Sequence, residues 1–366
     1  MAFALLALPA QALADWATNL PRGVSEISRE VYDMHMMVLY ICIAIGVVVF
    51  GAMFISILKH RKSLGVAPAT FSHSTLAEVI WTIIPFVILV AMAIPAAKAL
   101  IKMEDAGGAE LTVEVTGHQW KWEYAYPEQG IRFFSNLDEK SREARALNSG
   151  VDPYSVANYL LEVDKPMVLP VGAKVRFLLT SSDVLHAWWV PDFAVKKDAI
   201  PGFIREMWTV IDEPGTYRGQ CAELCGKDHG FMPIVVEAVP AAQFEQWVVA
   251  EQAAAVAEAD SAEREWTRDE LIARGEATYA TACVACHQAN GAGIPGVFPT
   301  MLGVHEKLSL DEHLEVVLNG VPATAMQAFG AQLSDVDMAA VITYERNAWG
   351  NDSGEMIQPS AVKAAR

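Results

Sequence analysis

Two long apolar runs, separated by a short basic stretch, limit what this chain can become. Val31 to Leu58 carries no charge after Asp33 and His35. Leu76 to Ile101 carries Glu78 near its start and Lys98 near its end. Each run exceeds the roughly 20 residues that cross the hydrocarbon core of a bilayer. Pro85 and Pro95 lie inside the second run, where neighbouring helices can satisfy the backbone groups that proline frees. The intervening Lys59-His-Arg61-Lys62 belongs in the cytoplasm by the positive-inside rule, so both ends of the hairpin lie on the opposite side. In a bacterium that side is the periplasm. A hydrophobic fraction of 53% agrees with membrane segments. The expectation is a two-helix transmembrane hairpin within residues 25–105, with spans 31–58 and 76–101. Ahead of it, residues 1–14 end in Ala12-Leu-Ala14, a small-residue cleavage pattern, but no Lys or Arg precedes their apolar stretch. They read as a truncated signal peptide.

From about Glu110 the pattern changes. His118, Trp120, Trp122, Tyr124 and Tyr126 alternate, which predicts one face of a strand. Lys174–Thr180 and Glu206–Ile211 read as further strands. Short strands with Gly/Pro turns predict an all-β, Greek-key, cupredoxin-like domain over residues 109–240. A polar insertion, 135–160, interrupts it and carries no recognisable motif. Residues 241–266, rich in Ala, Glu and Gln, read as a helical or semi-rigid linker. Helix-forming stretches at 269–282, 310–318 and 335–344 predict a small all-α domain, 267–350, followed by a tail, 351–366. A chain of 366 residues has room for this multidomain plan.

Cysteine placement turns the plan toward metals. Of the five cysteines, Cys42 lies in the first apolar run and reads as a buried, inert thiol. Cys221-Ala-Glu223-Leu-Cys225-Gly-Lys-Asp-His229-Gly-Phe-Met232 gathers two thiols, a carboxylate, an imidazole and a thioether. A disulfide or a zinc loop would explain the two thiols alone. Zinc rarely takes Met, whereas thiolate and thioether suit copper. A second imidazole is available from His186, in Asp183-Val-Leu-His186-Ala-Trp-Trp-Val-Pro191.

Cys283-Val-Ala-Cys286-His287 is an attachment motif for c-type haem. The two thiols can form thioethers to the vinyl groups, and His287 then stands under the iron. A thioredoxin-like pair or half of a zinc site would need a βαβ pattern or a second Cys pair. An electron-transfer haem takes a second axial ligand, often Met. Met326 is the candidate, with Met301 and Met338 as competitors.

At these residues the chain resembles subunit II of cytochrome c oxidase, of the haem-copper oxidase family, with a fused C-terminal cytochrome c. The resemblance rests on the Cys221–Met232 loop, on Asp183–Pro191 continuing to Asp198–Gly202, and on Gly117-His-Gln-Trp120-Lys-Trp-Glu-Tyr124. It spans about residues 25–350. It implies a binuclear copper A site in which Cys221 and Cys225 bridge, His186 and His229 are terminal ligands, and Met232 is a weak ligand. It further implies that Glu223 gives its backbone carbonyl to copper and its side chain to a magnesium ion shared with subunit I. Trp120 becomes the residue through which electrons reach copper, and Glu78 the mouth of a proton pathway into subunit I. Met326 resembles the ligand of a class I cytochrome c loop.

The implied function is that of the electron-input subunit of a proton-translocating oxidase. Electrons would pass from cytochrome c through covalent haem c and copper A to the oxygen-reducing centre of subunit I. That centre lies in another chain, so this one holds no oxygen-reducing residues of its own. The implied partners are subunit I, other oxidase subunits, the lipid membrane and cytochrome c or an equivalent donor. The implied place is the bacterial inner membrane, with the metal domains outside. A net charge of −17 speaks against nucleic-acid binding; it suits either a basic protein donor or solubility alone, which composition does not separate. Quinol oxidase subunits lack the copper ligands. Nitrous-oxide reductase lacks the membrane hairpin, and the nitric-oxide reductase small subunit lacks the copper loop. A copper chaperone for oxidase assembly is the alternative from another class, and it predicts a thioredoxin-like fold.

Overall fold

The structure, a computed structural model, describes residues 19–146, 149–322 and 324–366. The stretch read as a signal peptide, 1–14, lies outside the described residues. The chain divides into two compact units after Phe244.

In the first unit, α1 (Glu26–Lys59) starts on a capping box in which Ser25 and Ser28 satisfy each other's backbone N–H. Helix α2 (Thr75–Glu104) starts on Ser74 and runs through Pro85 and Pro95. The apolar windows of both helices are 0% buried within the chain. A helix that is apolar all round and uncovered needs lipid around it. Cys42, expected to be buried, is accordingly exposed on α1. The hairpin is fastened at its outer end. Lys102 on α2 meets Glu26 and Glu30 on α1 at 2.6 and 2.7 Å. Arg29 pairs with Asp212 of the following domain, and Trp208 donates its indole N–H to the Lys102 carbonyl. Ile27, Ala106 and Trp208 form a small apolar cluster beneath these ties.

The β-domain comprises β1 (Leu111–His118), β2 (Lys121–Tyr126), β3 (Ile131–Ser135), β4 (Met167–Pro170) and β5 (Lys174–Ser181). It continues with β6 (His186–Val190), β7 (Val195–Ala199), β8 (Arg205–Val210), β9 (Gly215–Cys221) and β10 (Pro233–Val239). Two sheets form, in the orders β3-β2-β1-β5-β8 and β4-β10-β9-β6-β7. β5 shows the expected alternation, with Val175, Phe177 and Leu179 fully buried. Phe177 packs on Trp188 with ring centroids 5.1 Å apart, and the Trp188 indole donates to the Tyr124 hydroxyl.

One strand reading needs correction. His118 through Tyr126 do not share a strand, because the chain reverses at Gln119–Trp120 and pairs His118 with Lys121. Trp122, Tyr124 and Tyr126 remain on one buried face of β2. Trp120 instead sits in the turn, which Asp183 holds by accepting the Gln119 N–H at 2.7 Å. The polar insertion contains a short helix, α3 (Glu139–Arg145).

Helix α4 (Ala241–Ala262) occupies the expected linker. In the second unit its Glu258 accepts from Arg274 and Ser334, so this end of α4 is packed rather than free. Then come α5 (Arg268–Ala282), α6 (Val284–His287), α7 (Val304–Lys307), α8 (Leu310–Asn319), α9 (Asp335–Asn347) and α10 (Pro359–Ala365). α5 crosses α9 at Gly275, where a Cβ would collide with the Ala340 carbonyl. The stretch expected to be a tail is structural: Ile357 and Val362 are buried in the unit's apolar cluster.

Candidate metal centres

The first centre lies at one end of the β-domain. His186 opens β6, Cys221 closes β9, and Met232 immediately precedes β10. The paired strands β6, β9 and β10 therefore bring residues distant in sequence to one place. Cys221 Sγ lies 3.9 Å from both Cys225 Sγ and His186 Nδ1. Cys225 Sγ lies 3.5 Å from His229 Nδ1 and 3.5 Å from Met232 Sδ. The Glu223 carbonyl stands 3.4 Å from Cys221 Sγ. His186, Cys221, Cys225 and Met232 are buried, while Glu223 and His229 are half-buried.

Electrostatics favour a cation here. The hydrogen bond between the two thiols, with His186 beside it, holds the Cys221 thiol far below its ordinary range. The same bond, together with burial, pushes Cys225 up. Burial opposes a charged His186, but its bonds to Asp183 and Cys221 outweigh that and raise its pKa. Asp183 accepts from His186 Nε2 at 2.9 Å, which points Nδ1 toward the sulfurs. Burial raises the Asp183 pKa, yet its bonds to His186 and to the Val184 and Gln119 N–H groups carry it below the usual carboxylate value. Gly117 lies against the imidazole, where a Cβ would come within 2.8 Å of His186 Cδ2. Trp120 and Gln119 both donate to the Cys225 carbonyl, at 3.1 and 2.9 Å. Two close sulfurs flanked by two imidazoles, a thioether and a carbonyl fit a binuclear copper site.

Sequence reasoning named every donor of this cluster but gave no part to Asp183, Gln119 or Gly117. For Asp183 the signal was present: a carboxylate three residues before a ligand His can turn back onto its ring. Glu78 is not part of the cluster. It sits in the first turn of α2, where its carbonyl accepts from Thr82.

The second centre is local. Cys283 caps α5, and the single turn of α6 carries Cys286 and His287. His287 is buried, and its Nδ1 lies 2.9 Å from the Pro299 carbonyl. A carbonyl only accepts, so Nδ1 donates this bond, and Nε2 is the ring nitrogen that could ligate a metal. The Tyr279 hydroxyl and the Trp349 indole donate to the Gln288 and Ala289 carbonyls, bracing the turn after His287. Met326 is partly buried and packs on the same apolar cluster as Cys283 and Val284. Its competitors, Met301 and Met338, belong to the buried core. The motif and a His287 ring held by the Pro299 carbonyl through Nδ1 fit a c-type haem.

Family models describe the same three parts. "Cytochrome C oxidase subunit II, transmembrane domain" matches residues 14–99, and "Cytochrome C oxidase subunit II, periplasmic domain" matches residues 111–239. "Cytochrome C oxidase, cbb3-type, subunit III" matches residues 270–344. A probable cytochrome c oxidase subunit 2 of Rickettsia bellii is 40% identical over 236 residues, covering 64% of this chain and 83% of the relative. Subunit 2 of Cereibacter sphaeroides is 34% identical over 242 residues, covering 63% and 79%. Among solved structures, the periplasmic domain of a cytochrome oxidase subunit II from Bradyrhizobium japonicum is 39% identical. It covers 40% of this chain and 96% of that domain, with a TM-score of 0.35.

Proposed function

The chain belongs to the cytochrome c oxidase subunit II family, and from that premise we propose that it is the electron-input subunit of a proton-translocating oxidase. The observation that carries this reading is the grouping of His186, His229, Met232 and the Glu223 carbonyl around the Cys221 and Cys225 sulfurs, themselves 3.9 Å apart. These residues hold binuclear copper A. Cys283 and Cys286 would hold haem c covalently, and His287 and Met326 would ligate its iron. When bound, the two groups supply one-electron relay between an external donor and subunit I.

The remaining residues take supporting parts. Trp120, hydrogen-bonded to the Cys225 carbonyl, offers an aromatic path toward the copper ligands. The Glu223 carboxylate reaches a magnesium ion shared with subunit I. Glu78 lies at the mouth of a proton pathway at the subunit I boundary. The hairpin sits in a bacterial inner membrane, with both metal domains on the periplasmic side. An overall charge of −17 suits a basic cytochrome c donor. The β-sandwich supports this reading over the copper-chaperone alternative, which needs a thioredoxin-like fold.

Metal counting on the full-length, copper-loaded protein tests the reading. Two coppers sharing one unpaired electron, plus one haem that resists acid-acetone extraction, are expected. A single copper with a mononuclear resonance would overturn it. Electron uptake from a basic cytochrome is expected to slow as salt rises, and a salt-independent rate would remove the electrostatic donor argument.

A further inference from the structure

The insertion between β3 and β4 carries none of the donor residues, yet its described residues are tied down. Its ends meet in a bridge between Leu137 and Val163. The Asn136 N–H and Nδ2 donate to the Asp164 carboxylate at 2.7 and 2.9 Å. Inside it, the buried Ser141 accepts from the Leu160 N–H. Two cross-ties then reach the β9 side of the domain. Arg218 on β9 meets Glu162 at 2.6 Å, and Arg145, the last residue of α3, meets Asp228 at 2.7 Å. The Arg145 guanidinium also stands 3.7 Å above the Phe231 ring.

Those two contacts bracket the second half of the donor loop. Asp228 is 3% exposed and directly precedes His229. Phe231 directly precedes Met232, and its N–H donates back to the Asp228 carbonyl at 2.9 Å. Asp228–Phe231 is thus one tight turn, gripped at both ends by a single side chain. A planar guanidinium can pair with a carboxylate and stack on a ring at once, which a lysine ammonium cannot do.

We propose that Arg145 is a positioning residue of the copper centre: from α3 it clamps the Asp228–Phe231 turn and so fixes His229 and Met232 relative to the two thiols. The inference rests on reading this loop as the copper site. Loosening the turn moves a terminal imidazole and the weak thioether together, and a copper site's potential responds to its weak ligand. Loss of a partner bonded to a metal ligand typically costs about 10–100-fold in metal affinity. Arg145, which grips the residues next to two ligands, should fall at the low end of that range.

The test uses the full-length protein, copper-loaded, with Arg145→Ala, Arg145→Lys, Asp228→Asn and the double change Arg145→Ala/Asp228→Asn. Copper loss to a chelator, the copper hyperfine pattern and the midpoint potential are read beside the melting temperature of the metal-free protein. Arg145→Ala is expected to lose copper about 10-fold faster and to shift the spectrum and the potential. Arg145→Lys restores the pairing without the stacking and should fall between it and the wild type. The double variant should be no worse than the worse single one, because both changes break the same contact. Variants that melt lower but keep the wild-type copper loss, spectrum and potential make α3 a structural brace and overturn the proposal. A wild type that holds fewer than two coppers overturns the copper reading itself. Two coppers in the wild type with unmoved variants overturn only the role of Arg145.

Discussion

The two proposed metal centres orient their histidines by opposite means. At the copper centre the acceptor is a side chain, the Asp183 carboxylate on His186 Nε2. At the haem centre it is the main-chain carbonyl of Pro299 on His287 Nδ1. The donors differ in the same sense. The copper set is assembled by strand pairing across residues 186–232, whereas Cys283, Cys286 and His287 lie together at the junction of α5 and α6. A site assembled by packing depends on the core beneath it, and a local site depends on the helices that hold it.

The largest effect is expected where core and copper site coincide. Trp122 is fully buried, donates its indole N–H to the Met232 carbonyl at 3.3 Å and meets the His186 ring edge-on at 5.9 Å. Trp122→Ala should destabilise the β-domain by about 3–5 kcal/mol and disrupt copper binding. The haem domain should unfold as before. Urea unfolding read by the copper resonance and by the haem Soret band checks this. Equal shifts of both signals would mean that the two units do not unfold separately.

Asp183→Asn sharpens the contrast between the two orienting acceptors. Asp183 takes hydrogen bonds from the His186 ring and from the Gln119 and Val184 N–H groups. An amide there turns one acceptor oxygen into a donor facing another donor. Copper affinity is expected to fall about 10–100-fold with the fold retained, measured by competition with a chelator of known affinity. No side-chain substitution can remove the corresponding acceptor at His287, because it belongs to the backbone. Unchanged affinity would show that Asp183 does not orient His186.

What the sequence disclosed follows the same division between local and assembled features. The Cys283–His287 motif and the Cys221–Met232 loop were legible because their donors lie within one turn or one loop. Three of the second unit's helices, α5, α8 and α9, and the membrane runs were legible from composition and period. The reversal at Gln119–Trp120 was not, since a period-2 pattern continues across a tight turn, and the acceptor that holds this one is Asp183. The packing of Ile357 and Val362 was missed because two apolar residues in a polar stretch make no helical pattern. The tie between Arg145 and Asp228 spans 83 residues, and only tertiary contact reveals it.

Within the haem domain, the α5–α9 crossing gives the next effect. Gly275→Ala drives a methyl group into the Ala340 carbonyl. Overpacking of this kind costs about 1–3 kcal/mol. The thermal midpoint of the Soret band should drop while the copper resonance and its unfolding stay unchanged. A neutral Gly275→Ala would mean that the helices can separate slightly without loss.

The smallest effect concerns the helix starts of that domain. Thr267 with Glu270 and Ser309 with Glu312 form capping boxes at α5 and α8. Main-chain N–H groups at Thr267 and Ser309, then their hydroxyls, donate to the two carboxylates and lower both pKa values from the ordinary glutamate value. A depressed folded-state pKa adds stability that is complete above the unfolded value and is lost as pH falls through the folded one. The haem domain should therefore lose a small increment of stability on acidification below about pH 4.5. Glu270→Gln and Glu312→Gln should remove the part of the slope that comes from these two carboxylates. Ser309→Ala removes the cap of α8 at all pH values, at a cost of about 1 kcal/mol. Soret-monitored melts between pH 3 and 7 distinguish the two changes: the Gln variants flatten the pH profile, while Ser309→Ala lowers it throughout. A slope untouched by the Gln variants would place the acid sensitivity in other carboxylates of the domain.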